Sequence, residues 1–385
     1  MKVDLIGSTN NMRETADFLK YSQACGRQCY SGKGFEELKH EPYNQELVEG
    51  RLLRSGHHSV FEHINLTFSM SGLPKIMAMV LNNERQYATS EKSARYTQMK
   101  DINEHQKQLY DKWMRELYLT INHIYPKGMD EEVREGAIKK LAQENARYMT
   151  SVFTPTKMIH TVNLRQLNFI INEFERYVEQ VDEDDVGIED DSDAFKKGVA
   201  ESMKEFLEQT DKYKIPGLEN QTDRHLSLFR GRGRERYFGS TYSTNYLMSF
   251  AGLAQAHRHR TISYNMKNPE LGSPEGFFIP EIVKFGGLVD EWVRDLSEVA
   301  EHDFPQAQLV NVNERGLLED FRSKCLLRLC GHAQYEIMKN TLDTAVEYAG
   351  FVPEVTDWLK PKCQQGLTCN SNCVWTGKKA LERIV

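Results

Sequence analysis

Gln255-Ala256-His257-Arg258-His259-Arg260-Thr261-Ile262-Ser263-Tyr264-Asn265 sets three consecutive basic residues among hydroxyl and amide side chains. Three adjacent cations repel one another in a core, so the stretch makes sense facing an anion or an electron-rich ring. Arginine forks beside hydroxyls and amides suit bidentate binding of phosphate and of planar polar rings. A lone Arg-His-Arg triplet would read as an exposed basic turn. Two further segments keep this one from standing alone. Gly56-His57-His58-Ser59-Val60-Phe61-Glu62-His63 comes first, and Glu91-Lys92-Ser93-Ala94-Arg95-Tyr96 follows it.

Around these segments the composition is that of an ordinary globular protein. The 385 residues are 39% hydrophobic and 27% charged. That length allows two or three domains at about 150 residues each. The apolar share excludes disorder of the whole chain, and no apolar run approaches the ~20 residues of a membrane-spanning helix. Met1 to Gly7 reads as a first strand without a signal-peptide core, so a cytoplasmic location is expected. The net charge of −7 argues against nucleic acid as a partner but leaves room for a small anion in a local basic pocket. The seven cysteines are an odd number in such a chain, and no disulfide framework is expected. Cys363, Cys369 and Cys373 crowd the last residues without a CxxC pair or a fourth ligand. They point to free thiols or loop packing rather than to zinc, and no metal is expected.

Periodicity supplies the elements. Ile64 to Met70 alternates as a half-buried strand should, and Gly72-Leu73-Pro74 breaks it. Residues 101–125 carry a helical face of Leu109, Trp113, Leu117, Leu119, Ile121 and Ile124, and 130–177 read as helical with an interruption at Thr154-Pro155. Glu179 to Asp193 is an acidic block, a solvated linker by its self-repulsion. A helix is expected over 194–212. The basic stretch 224–236, with Arg230, Arg232 and Arg234 between glycines, reads as a solvated loop or a phosphate binder. Residues 242–253 read as strand then helix, and one long helix is expected from Asn313 to Tyr348.

Together, Gln255, Arg258-His259-Arg260, Ser263 and Asn265 resemble the RHRxxSxN signature of the flavin-dependent thymidylate synthases (ThyX). The segment from Gly56 to His63 is similar to the family's GHxSxxEH helix, and Glu91, Ser93 and Arg95 to its ExSxR part. Arg147, the Thr161-Val162-Asn163-Leu164-Arg165 segment and Leu327 to Ile337 resemble its later motifs. The resemblance implies an α/β (α+β) fold of twisted sheets with packed helices, arranged here as two copies. Residues 1–180 resemble a first unit and 238–350 a second. Residues 181–237 form a linking segment and 351–385 a cysteine-containing tail.

The copies depart from the pattern in complementary ways. The first reads Asn83-Glu84-Arg85 at the basic triplet and Asn172-Glu173-Phe174 where the uracil-directed arginine belongs. The second reads Met266-Lys267-Asn268-Pro269-Glu270 where ExSxR should follow. One complete site is therefore expected across both copies. The resemblance implies that Glu91, Ser93, Arg95, Arg147, Gln255 and Arg258 bind dUMP. It gives Ser59, Glu91, Asn163, Arg165, Arg258, His259 and Arg260 to FAD, and Arg328 to the uracil as the catalytic group. It implies methylation of dUMP to dTMP with methylenetetrahydrofolate and NADPH, in a homodimer that mimics a tetramer. Two alternatives stay open: a hydroxymethylated product, and a non-catalytic duplicate that binds nucleotides. The sequence assigns no folate contacts, and it does not decide whether the halves of a site come from one chain or two.

Overall fold

Period-two burial in two stretches read as helical turns out to organise both sheets. Thr156, Met158, His160 and Val162 are buried in alternation along Pro155–Asn163, and Val310, Val312 and Glu314 share one face of Leu309–Leu317, where Asn313 is buried as well. Alternation of that kind buries one face of a strand and cannot line a helix. The computed structural model describes every residue except 98–100, 185–192, 220–223, 230–234, 368, 370–372 and 376. Arg230, Arg232, Arg234 and much of the acidic block lie outside the described residues.

The chain divides into two units. One comprises Met1–Lys92, Pro155–Asp190 and Lys196–Leu226, the other Ser93–Thr154, Asp191–Phe195 and Ser227–Val385. The first unit carries β1 (Lys2–Ser8), α1 (Thr15–Gln28), α2 (Phe35–Leu38), β2 (Asn65–Pro74), α3 (Lys75–Leu81) and β3 (Tyr87–Glu91). The second takes the next two helices, α4 (Glu104–Ile124) and α5 (Glu131–Ala146). The chain then returns to the first unit for β4 (Pro155–Asn163) and α6 (Leu164–Asp184), and α7 (Asp193–Thr210) follows. The second unit completes itself with β5 (Tyr237–Phe238), β6 (Thr241–Ser249), α8 (Phe250–Ala256), β7 (Ser263–Met266), α9 (Glu281–Phe285) and α10 (Val289–Ala300). After these come β8 (Leu309–Leu317), α11 (Leu318–Arg328), α12 (Tyr335–Ala349) and α13 (Lys379–Glu382).

Both sheets are antiparallel, four-stranded and built on one plan: β1-β2-β4-β3 in the first unit and β5-β6-β8-β7 in the second. In each, the second strand runs into a short helix, an edge strand follows, and the next strand leads into a further helix. Asn65 pairs with Asn163 in the first sheet, and Thr241 with Leu317 in the second. Gly72 does not end β2 as expected. It sits at φ +69° where the β2–β4 register shifts between Ser71 and Leu73, a bulge that glycine accommodates. The long helix expected from Asn313 to Tyr348 is instead β8, α11 and α12, with a break over Leu329–Gln334. Likewise 130–177 is α5, β4 and α6 rather than one interrupted helix.

The residues 93–154 join the second unit because their apolar face packs there. Trp113 and Trp292 meet edge to face at 4.7 Å. The Trp113 indole donates to Asp295 Oδ2 (2.9 Å), which Lys112 also reaches at 2.5 Å. Backbone bonds from Val152 N to Phe304 O and from Gln306 N to Thr150 O tie the following loop down. Residues 351–385, set apart as a tail in the sequence, also pack into this unit, where Val355, Ala380 and Val385 are buried. Beneath the second sheet, Lys324 Nζ donates to Glu314 Oε2 at 2.6 Å, both side chains fully buried. Tyr242 and Tyr246 donate to the same carboxylate.

Removing one partner of a buried pair leaves an uncompensated charge. Lys324→Met should therefore lower stability by about 3–5 kcal/mol, and adding Glu314→Leu should recover most of it. Denaturation midpoints check this, and an unchanged midpoint in Lys324→Met contradicts it.

Candidate functional site

The second unit gathers the residues expected to hold dUMP from both halves of the sequence, apart from Glu91. Ser93, Arg95 and Arg147 come from its first segment, and Gln255, Arg258, His259, Arg260 and Arg328 from its last. Arg95 is buried. Its Nε donates to Glu144 Oε2 and its Nη2 to His332 O (3.1 Å), in the break that follows Arg328. Arg147 lies at the end of α5 with its Nε on Glu144 O (3.0 Å). Burial lowers its pKa. Three buried polar atoms of this set have no hydrogen-bond partner among the described residues: Ser93 Oγ, Arg147 Nη2 and Gln255 Oε1. Buried donors and acceptors are rarely left so, and such orphans mark where a polar ligand belongs.

Arg328 closes α11. Its Nε donates to His259 Nε2 at 2.6 Å and its Nη2 to Gln255 O at 3.3 Å. Burial and the nearby Arg258 and Arg95 cations lower its pKa to about 10, so it stays charged at neutral pH. His259 is pushed down to about 2, first by burial and then by Arg328 and Lys324. The imidazole is thus neutral, accepts at Nε2 and carries its proton on Nδ1. It orients the guanidinium without adding charge. The triplet Arg258-His259-Arg260 does not face one way: His259 is buried, while Arg258 and Arg260 are exposed.

Four expected residues lie in the first unit. Ser59 is exposed beside a cavity of about 610 Å³ that Arg27, Arg51 and His57 also line. Glu91 pairs with Lys75 at 2.5 Å. Asn163 Oδ1 accepts from Gln166 N (2.7 Å) in the first turn of α6, a capping role. Arg165 is held by Glu219 (2.5 Å) and Glu62 (2.6 Å). Ser59 with its basic neighbours has the donor chemistry that a diphosphate needs. Arg165 fits that demand poorly as it stands, because two carboxylates already occupy its fork. In this unit Glu84, at the basic-triplet position, is buried and faces Arg224 at 3.7 Å. Arg224 also stacks on Phe169, 3.8 Å from the ring centre.

Sequence reasoning passed over four contributors. Glu144 orients Arg95. Glu336 accepts from Ser249 N (2.7 Å), Ser249 Oγ (2.6 Å) and Tyr148 OH (2.7 Å). Gln334 Nε2 donates to Tyr148 OH at 2.7 Å. The Ala333-Gln334-Tyr335-Glu336-Ile337 motif carried the signal for Gln334 and Glu336. Nothing local marked Glu144 or Tyr148. Among the described residues no three His, Cys, Asp or Glu side chains gather as metal ligands, and no helix is long and apolar enough to cross a membrane.

A buried neutral His259 has a pH signature. The unfolded chain takes up a proton below about pH 6.5 and the folded one only near 2. The stability this group contributes is therefore full above about 6.5 and falls as the pH drops toward 2. NMR of the ring nitrogens should show no protonation of His259 between pH 5 and 9, and a midpoint near 6.5 contradicts the assignment.

Comparison with known proteins found the following likenesses. The family described as "Thymidylate synthase complementing protein" matches residues 12–177. The flavin-dependent thymidylate synthase of Pyrococcus furiosus is 26% identical over 178 residues, covering 43% of this chain and 68% of that protein. That of Clostridium tetani is 28% identical over 192 residues, 43% of this chain and 71% of that protein. The Pyrococcus abyssi relative is 27% identical, and the match spans 36% of this chain and 57% of its length. A Helicobacter pylori ThyX structure with FAD and dUMP aligns at 15% identity and TM-score 0.32, over 58% of this chain and 98% of that one.

Proposed function

We propose, from the match of residues 12–177 to the thymidylate synthase complementing family and the likeness to flavin-dependent thymidylate synthases, that the chain methylates dUMP to dTMP at one composite site per chain. The carrying observation is the set of unpartnered buried atoms, Ser93 Oγ, Gln255 Oε1 and Arg147 Nη2, in the unit that holds Arg95, Arg258 and Arg328. Ser93, Arg95 and Arg147 hold the phosphate of dUMP, and Gln255 and Arg258 hold the same nucleotide. Arg328 lies against the uracil. Its charge, fixed in direction by His259 and the Gln255 carbonyl, stabilises the negative charge that develops on the ring oxygens and nitrogen. Ser59, Arg258 and Arg260 hold FAD, with Glu91, Asn163, Arg165 and His259 as the remaining family positions. When bound, the flavin supplies redox and one-carbon chemistry, with methylenetetrahydrofolate as methylene donor and NADPH as reductant. The protein's own part is to bind, orient and polarise.

The common sheet plan supports descent from a duplicated unit, with 1–180 and 238–350 as the two copies and a homodimer in place of a tetramer. Only one kind of site is then complete. The reciprocal site would present Asn268 and Glu270 to the phosphate, and Glu84 where His259 stands in the other copy. A carboxylate repels a phosphate.

The purified protein should show oxidised-flavin absorbance and bind one dUMP and one FAD per chain. A colourless protein that takes up no added FAD sinks the reading, and calorimetry showing two equivalent dUMP sites sinks the single-site claim. Arg328→Ala should keep FAD and lose turnover by about 100-fold or more, because its contact strengthens only as charge develops. Normal turnover in this variant would make Arg328 a structural arginine.

A further inference from the structure

The segment 373–385 lies outside both copies and outside the family match. Its Cys373, Val374, Trp375 and Arg383 nevertheless line a cavity of about 710 Å³ in the second unit, together with Arg95, Lys140, Glu144 and His332. Arg383 is only 4% exposed. Its Nη2 donates to Ala333 O at 2.5 Å, its Nη1 to Val385 O at 2.7 Å and its Nε to Ala380 O at 3.2 Å. Its guanidinium also lies over the Tyr335 ring, 6.0 Å from the centre. Arg95 donates to His332 O at 3.1 Å. Two buried guanidiniums therefore hold consecutive carbonyls of the short break between Arg328 and α12.

The packing at this point leaves no slack. A Cβ on Gly331 would stand 2.7 Å from both Cys373 Sγ and Trp375 Cβ. The segment thus presses on the break itself, one residue from the carbonyl that Arg95 holds. Arg383 and Arg95 repel each other, and Glu144 offsets both. Three cations, Arg95, Lys140 and Arg383, line the cavity against the two carboxylates Glu132 and Glu144, so its lining is net cationic toward an anion.

We infer that Arg383 is a positioning residue for the phosphate of the bound nucleotide: it pins the 331–333 turn against which Arg95 is aimed and, with Trp375, walls the cavity that Arg95 lines. This rests on the dUMP reading above. A side chain that merely held the fold would affect every ligand of the site. One that positions the phosphate ligand affects only the ligand whose phosphate Arg95 holds.

The test is calorimetric titration of the full-length, FAD-loaded protein with dUMP, and with deoxyuridine by competition. Arg383→Gln should weaken dUMP binding by about 10-fold and leave deoxyuridine affinity and FAD content unchanged. Gly331→Ala, which displaces Cys373 and Trp375, should act in the same direction. Arg383→Lys keeps the charge and one donor and should fall between wild type and Arg383→Gln, and it serves if the glutamine variant does not fold. Equal losses for dUMP and deoxyuridine overturn the inference, as does unchanged dUMP affinity in the variants. Wild-type protein that binds no dUMP overturns the functional reading and this inference with it. Wild-type binding beside unaltered variants overturns this inference alone.

Discussion

One buried carboxylate holds the second unit's site segments in register. Glu336 accepts from the backbone and hydroxyl of Ser249 and from Tyr148 OH. Burial raises its pKa, and these donors pull it back down. Each donor sits beside a site residue. Ser249 caps α8, whose end carries Gln255 and leads into Arg258. Tyr148 follows Arg147. Glu336 itself opens α12, just past the break that follows Arg328. Gly252 packs so close to this carboxylate that a Cβ there would lie 2.7 Å from its carbon. An unsatisfied carboxylate at this depth would cost several kcal/mol, so the three segments come together or the network fails.

The two units use the same sheet plan and fill the triplet position differently. In the second, the triplet position is a neutral histidine that orients an arginine. In the first, Glu84 faces Arg224, and Arg165 is taken up by Glu62 and Glu219. Carboxylates there neutralise cations from within. That contrast is the physical basis for one working site per chain on the proposed reading. On that reading the shared sheet plan remains while the first unit's polar groups are taken up by intramolecular pairs.

The strands and helices with clear periodicity were legible: β1, the start of β2, α4, α7, and the strand-to-helix passage from β6 into α8. The two strands β4 and β8 were not. Thr156, His160 and Glu314 are polar residues on buried positions, so hydropathy alone hid the alternation. The motif residues of the candidate site were legible through the family resemblance. Their grouping was not, because Ser93, Arg95 and Arg147 leave their own copy's sheet and join the unit built mostly from the second. That exchange depends on long-range packing of Trp113 on Trp292 and on the Lys112–Asp295 pair, which no local pattern announces. The role of Arg165 also escaped, since Glu219 lies 54 residues away in sequence.

The central claim is that residues from both copies of one chain make one site. It is tested most directly by complementation between Arg95→Ala and Arg258→Ala chains. The two variants are co-expressed with different tags, and the mixed dimers are isolated and assayed for dTMP formation beside wild type. The account predicts that mixed dimers are as inactive as either variant alone, because every chain lacks one part of its own site. Return of a substantial fraction of wild-type activity would contradict it, and would show that the halves of each site come from different chains.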